Sequence, residues 1–123
     1  MSTVADHLDQ ARRNQTFAEQ LLNQHASDPT SVQWAVIAAF YVAVHCMQAH
    51  LMTLGHDPEN HAERGYLIAQ PASGIPFDVR RSYRWLKQRS ESARYRLGVF
   101  APAFVQREVF DVHLANVTTF VGL

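Results

Sequence analysis

Basic side chains are concentrated in one short segment of this chain. Five of the ten residues from 80 to 89 are arginine or lysine, and Arg96 follows shortly after. On a helix, which turns about 100° per residue, one flank of this segment carries Arg80, Arg84, Lys87 and Arg94. The chain has ten arginines and one lysine, and a planar guanidinium can bind phosphate or carboxylate through two parallel hydrogen bonds. The segment predicts a nucleic-acid or other anion-binding surface, with a solvated flank of local ion pairs as the alternative.

Histidines form a second group of candidate residues, because the chain has seven and two of them interrupt its most apolar segment, residues 34–54. A buried histidine either has a hydrogen-bond partner or belongs to a site. The two histidines, His45 and His50, are five residues apart with no carboxylate between them. A zinc pair favours two histidines on one helix face, so this spacing predicts no metal site.

The last segment contains an arginine and a histidine separated by five residues, Arg107 and His113. An α-helix places them on opposite borders of an apolar stripe formed by Phe110, Leu114 and Val117. If that stripe packs against its own copy in a homodimer, both polar side chains reach the interface. The spacing alone is a weak signal that often arises by chance.

Length and composition indicate one globular domain over residues 1–123, with 47% hydrophobic and 18% charged residues and no net charge. The N-terminal residues lack the pattern of a signal peptide. Residues 34–54 approach the length of a membrane span, but two histidines and a glutamine favour a core helix. The single cysteine, Cys46, excludes an internal disulfide and is most simply a small buried residue. We therefore expect a cytoplasmic protein that does not contact a membrane.

Apolar periodicity predicts five helices and no strand. The first covers residues 3–24, and the second starts at Asp28-Pro29 and ends at Gly55. The third starts at a cap-like Asn60 and runs to about 69. The fourth carries a stripe of apolar or small residues, Val79, Tyr83, Leu86, Ser90, Ala93 and Leu97, and is broken by Gly98; the fifth covers about 102–120. These elements predict an all-α, antiparallel bundle of four to five helices with the second helix at its centre and His45 shielded from solvent.

A set of aromatic, small, histidine and arginine residues recurs along the predicted helices. It comprises Trp34, Phe40, Tyr41, Val44, His45, Ala49, Leu54 and Gly55, then His61 and Arg64, then Tyr83, Leu86, Ser90, Ala93, Arg94 and Tyr95. Over residues 5–120 this pattern resembles the HEPN superfamily of compact helical domains. The resemblance implies a bundle of four to five helices that often dimerises. Many members are metal-independent ribonucleases, or toxins paired with a nucleotidyltransferase-type antitoxin.

The HEPN signature is an arginine, four to six arbitrary residues and a histidine near the start of the final core helix. Arg107 and His113 match this spacing and are the catalytic candidates that the resemblance implies. The residue after the arginine is usually Asn, Asp or His; here it is Glu108, which can pair with Arg107. The resemblance also implies a polar centre or ligand-binding cluster, formed by His45, His61, Arg64, Tyr83 and Arg94.

Three functions remain open at this point. The first is a non-catalytic or weakly catalytic homodimeric module that binds RNA or a partner, such as an antitoxin-type protein. The second is a metal-independent endoribonuclease, in which His113 moves a proton and Arg107 stabilises the charge on the phosphate. The third is a pocket for a nucleotide or small molecule at the polar centre. None of them calls for a cofactor.

Overall fold

The structure, a computed structural model, describes residues 2–96 and 99–123. These residues form five helices and no strand, which confirms the all-α prediction. The first four helices are α1 (Val4–Gln24), α2 (Pro29–Thr53), α3 (His61–Ala69) and α4 (Phe77–Tyr95). A 3₁₀ turn, Pro71–Ser73, joins α3 to α4. The last helix, α5, consists of an α-turn (Pro102–Phe104), a π-helical segment (Val105–Leu114) and an α segment (Ala115–Phe120). The predicted helix breaker Gly98 and the stripe residue Leu97 lie outside the described residues.

Capping residues set the ends of α2 and α3 as predicted. The Asp28 carboxylate accepts a hydrogen bond from a main-chain N–H in the first turn of α2. Gly55 follows the end of α2 with a φ of 88°, a conformation that costs little without a Cβ. The Asn60 side chain accepts a hydrogen bond of 2.8 Å from the Glu63 main-chain N–H and so caps α3. The short connections that result place consecutive helices side by side.

Helix α2 lies at the centre of the bundle and contacts the other four helices. Its buried residues include Ala35, Ala39, Phe40, Val42, Ala43 and Met47, each with no exposed surface. Within the described residues, α2 is the one helix long and apolar enough to cross a membrane, but most of it is buried inside the bundle. That burial is compatible with a soluble protein and agrees with the predicted central position.

The final helix differs from the prediction, because the segment Val105–Leu114 is a π-helix and not an α-helix. Hydrogen bonds from residue i to i+5 widen each turn of a π-helix, so that residues four and five apart share a face. Val105 and Phe110 form one such apolar pair, Val109 and Leu114 form another, and all four are buried. The packed face is therefore wider than the α-helical stripe that the sequence predicts.

Candidate functional site

A groove of about 560 Å³ lies between α3 and α4. Its α4 wall is formed by Phe77, Arg80, Arg81, Tyr83, Arg84 and Lys87, and its α3 wall by Gly65, Ile68 and Ala69. None of these described lining residues is acidic. A Cβ added to Gly65 would meet no heavy atom within 4 Å, so this position is open space. The structure thus brings three predicted anion-binding residues, Arg80, Arg84 and Lys87, to one groove.

The two helices run antiparallel along the groove, which gives it two distinct ends. At the outer end, Arg80 Nη1 donates a hydrogen bond of 3.3 Å to the Ala69 carbonyl oxygen. At the inner end, Lys87 is close enough to His61 for its charge to help lower the pKa of the imidazole. Seven helical positions separate Arg80 from Lys87, about 10 Å along the axis. The cations therefore form a row along one wall.

Arg64 lies beside the inner end with a buried guanidinium, only 8% exposed. Its Nε donates to Gln48 Oε1 at 3.0 Å, and its Nη1 donates to His61 Nδ1 at 2.9 Å. Gln48, also buried, uses its Nε2 to donate to Asp57 Oδ1 and to the main chain of the loop before α3. Within residues 2–96 and 99–123, Arg64 has no ion pair with a carboxylate. Its positive charge is thus held by neutral hydrogen-bond acceptors.

Arg94 approaches the same region from the C-terminal half of α4. Its Nη1 donates a hydrogen bond of 2.9 Å to the Tyr41 hydroxyl oxygen, and its guanidinium lies over the rings of Tyr41 and Tyr95. The buried Arg94 Nε has no hydrogen-bond partner in the described part of the chain. The Tyr41 ring also lies near the His61 ring, with centroids 6.1 Å apart. Arg94 is therefore joined to the cluster around His61.

The electrostatics of the cluster follow from burial and from its positive charges. Burial lowers the pKa of His61, and the charges of Arg64, Lys87 and Arg94 lower it further, whereas Glu91 opposes them. Because Nδ1 of His61 accepts the Arg64 hydrogen bond, the proton of the neutral ring is on Nε2. Burial also raises the pKa of Tyr83, which the charge of the nearby Arg64 opposes, and the hydroxyl proton has no acceptor in the described residues. His61, Arg64, Tyr83 and Arg94 are thus brought together; with Lys87 and Tyr41 they form what we term the inner cluster.

His45 lies apart from the inner cluster, on the side of α2 that faces α1. Its Nδ1 is 2.9 Å from Nδ1 of His7, and the two rings are stacked with centroids 5.2 Å apart. One Nδ1 must donate the hydrogen bond and the other must accept it, so the two Nδ1 atoms cannot both carry a proton while this bond exists. The expectation that His45 is shielded from solvent is met only in part, since α1 covers it incompletely and it stays half-buried. It lines a separate cavity of about 370 Å³ that Arg64 also reaches.

Arg107 and His113 are not joined by any contact among the described residues. The Arg107 side chain is 68% exposed and its Nε is 3.1 Å from Glu108 Oε1, the pairing that the sequence suggested. His113 instead packs against α4, where its Nδ1 is 2.9 Å from Ser82 Oγ. Its ring stacks on Trp85 with centroids 4.1 Å apart. A single chain therefore does not form a cleft from this arginine and histidine.

Two residues of the site, Gln48 and Tyr41, are not among the candidate site residues that the sequence predicts. Gln48 could have been noticed as an amide inside the most apolar segment, where a polar side chain needs a buried partner. Tyr41 carries no such signal, because a tyrosine in a core helix is usually explained by packing.

Folding stability should decrease as the pH falls below neutrality. Burial is the largest cause that lowers the pKa of His45, His61 and His113 from the ordinary value of 6.5. Below pH 6.5 these histidines therefore bind protons more readily in the unfolded chain than in the folded chain. The folding stability that is present above pH 6.5 is lost as the pH falls below it. Urea unfolding between about pH 8 and 5 should show a falling midpoint, with a shallower fall for His113→Asn. A constant or rising midpoint would contradict this expectation.

Neither the cysteine nor a metal-ligating cluster provides a second site in the described part of the chain. Burial raises the pKa of the Cys46 thiol to about 12, so this cysteine is not a nucleophile at neutral pH. In the described ranges, no group of three or more His, Cys, Asp or Glu side chains could hold a metal ion. The groove and the inner cluster are therefore the candidate site. No protein-family model matches the chain, and no curated protein matches it significantly.

Proposed function

We propose that this chain is a HEPN-like bundle that binds RNA through the groove between α3 and α4, as a non-catalytic or weakly catalytic module. One observation carries the proposal: Arg80, Arg84 and Lys87 line a single open groove in which no described residue is acidic. Lys87 makes an ion pair at 4.0 Å with the exposed Glu91, which is a weak competitor for a phosphate. The row of cations can therefore bind consecutive phosphates of a strand.

An exposed aromatic ring supports a single-stranded ligand. Phe77 lines the outer end of the groove and is 71% exposed, although a large apolar side chain gains stability from burial. Bases of a single strand stack on such rings, whereas the bases of a duplex are already stacked on each other. The groove thus combines phosphate-binding cations with a stacking platform.

The proposal includes a homodimer or a complex with an antitoxin-type protein. The apolar stripe of α5 through which the sequence predicted a homodimer, Phe110, Leu114 and Val117, is buried in the bundle itself. The remaining support is a set of exposed large apolar side chains, Trp34, Tyr66, Tyr95, Val99 and Val112.

The ribonuclease alternative has less support than RNA binding alone. Arg107 is occupied by Glu108, and His113 is held by Ser82 and Trp85, so the two side chains do not face one phosphate within a single chain. Catalysis by these residues would need a second subunit to complete the site. The third alternative, a nucleotide pocket, is supported by the positive charge and the hydrogen-bond donors of the inner cluster.

The salt dependence of RNA binding tests the proposal through Arg84→Gln. Contacts of three cations with a single strand predict a slope of about −2 for log affinity against log salt, and loss of one cation makes it about 0.7 shallower. Fluorescence anisotropy with a labelled single-stranded RNA at several salt concentrations measures both slopes. The matched control is Arg12→Gln, because Arg12 is exposed on α1 and pairs with Asp9.

A second pair of variants separates groove access from charge. Gly65→Phe should block the groove, whereas Gly65→Ala adds one methyl group to open space and should bind RNA normally. Undiminished binding by Gly65→Phe, or an equal loss with Arg12→Gln and Arg84→Gln, would overturn the proposed function.

A further inference from the structure

The inner cluster contains more positive charge and more hydrogen-bond donors than the described residues around it can neutralise. Arg64, Lys87 and Arg94 all act on His61, and the one carboxylate that acts on it is Glu91. Glu91 lies at the surface, half exposed, in a long ion pair with Lys87. A buried cation is normally paired with an anion, because neutral partners offset only part of the cost of leaving water.

Several buried donors in this region also have no acceptor. Tyr83 is only 4% exposed and its O–H has no acceptor within the described residues, although the Arg64 guanidinium lies close enough to act on the hydroxyl oxygen. Arg94 Nε has no acceptor there either. Most buried polar atoms in proteins are hydrogen-bonded, so these two donors need an explanation. Tyr83 and Lys87 both line the groove. An acceptor brought in by a ligand would therefore approach from the groove.

The number of cations indicates what kind of acceptor fits. A phosphodiester in the middle of a strand carries a single negative charge, whereas a phosphomonoester carries about −1.5 to −2 at pH 7 and three strong acceptor oxygens. The outer row of Arg80 and Arg84 suits phosphodiesters. The inner cluster adds the buried guanidinium of Arg64, the half-buried guanidinium of Arg94, the Lys87 ammonium and two donors without acceptors, which suits the more highly charged group.

We propose that the inner end of the groove binds a terminal phosphomonoester, through Lys87 and the Tyr83 hydroxyl with the charges of Arg64 and Arg94 behind them. The same chemistry is offered by the phosphorylated end of an RNA strand and by a free nucleoside monophosphate. For the RNA strand end, the inference rests on the proposed RNA binding, in which the strand lies along the groove and its end reaches the inner cluster. Gln48 and His61 are positioning residues, because they hold Arg64 in place without facing the groove in the described contacts.

The test compares one single-stranded RNA sequence in three forms: with a 5′-phosphate, with a 3′-phosphate and with hydroxyl groups at both ends. One phosphorylated form should bind about tenfold or more tightly than the hydroxyl form, the effect of a hydrogen bond to a charged group. Competition with uridine monophosphate and with inorganic phosphate separates the two sources. If uridine monophosphate displaces the RNA at concentrations near its own dissociation constant, the site binds the free nucleotide. If it does not displace the RNA, binding at the site needs the rest of the strand.

The variant Tyr83→Phe removes the hydroxyl alone and is the sharpest probe of the cluster. It should lose most of the preference for the phosphorylated end, measured as the ratio of its own affinities for phosphorylated and hydroxyl-ended RNA. A melting temperature close to that of the wild type shows that the variant is folded, although it loses the effect of the Arg64 guanidinium on the hydroxyl. The matched control, Tyr66→Phe, changes a tyrosine that is 66% exposed on α3 and should keep the preference.

The outcomes distinguish this inference from the proposed function. RNA binding without preference for any phosphorylated end, or a preference that Tyr83→Phe retains, overturns the terminal-phosphate site and leaves RNA binding intact. Failure to bind any RNA, together with a thermal shift by uridine monophosphate that Tyr83→Phe abolishes, overturns the proposed function and supports the phosphate site.

Discussion

The variant Phe40→Ala should lose about 3–5 kcal/mol of folding free energy, a large part of the 5–15 kcal/mol that stabilises a typical domain. Phe40 lies in the middle of α2 with no exposed surface. Its ring centroid is 5.6 Å from that of His61 and 5.7 Å from that of Tyr83, so it fills the space where α2, α3 and α4 meet. Removal of the ring leaves a cavity between three helices, and these helices cannot all move inward to fill it.

Urea unfolding of the purified variant measures this loss. The control is Phe17→Ala on α1, which removes the same group from a side chain that is 51% exposed and should therefore cost much less. Similar losses for both variants would show that Phe40 does not lie at the centre of the packing. Phe40 also supports two residues of the inner cluster, so the variant should bind phosphorylated RNA less tightly even where it is folded.

The parts of the fold that follow local rules were predictable from the sequence. The apolar segment around Phe40 predicted the central helix, and every described position of the α4 stripe, from Val79 to Ala93, is buried. Periodicity is a property of neighbouring residues, so it can be detected without knowledge of the tertiary structure. The same rule predicted the bounds and the buried stripe of α5 but not its π-helical turns, because it assumes α-helical spacing. The apolar pair Val105 and Phe110, five residues apart, was the available sign of a π-helix.

One part of the candidate site follows from the spacing of residues in a single helix, and the other part depends on contacts between helices. The row Arg80, Arg84 and Lys87 was predictable, because all three residues belong to one helix and its flank follows from their spacing. The opposite wall of the groove, including Gly65, depends on how α3 packs against α4. The contact of His7 with His45 joins residues 38 positions apart and depends on the register of α1 on α2. Such contacts depend on how the helices pack, and the spacing of residues along one helix does not predict that packing.

The buried amide–guanidinium contact illustrates why the inner cluster was only partly predictable. Arg64 and Gln48 lie 16 residues apart and meet because the loop before α3 folds back onto α2. Gln48 fixes that loop through Asp57 and through the main-chain oxygen of Pro58. The geometry of the inner cluster therefore depends on the path of this loop as well as on the packing of the helices. This makes Gln48 the residue on which the position of Arg64 depends most directly.

The variant Gln48→Leu should therefore destabilise the protein by about 3 kcal/mol, because it leaves the buried Nε of Arg64 without an acceptor and releases the loop. Replacement of both partners, in Gln48→Leu with Arg64→Leu, should recover much of that loss, since an apolar pair leaves no charge to solvate. Urea unfolding of both single variants and of the double variant measures the coupling between the two residues.

RNA binding by the double variant then separates stability from function. If Arg64 is retained for its charge, the double variant should be folded but should no longer prefer a phosphorylated RNA end. Recovery of stability together with an undiminished preference would remove Arg64 from the binding site. A double variant as unstable as the sum of its parts would show that the two side chains do not act as a pair, and that the buried charge is stabilised by other contacts.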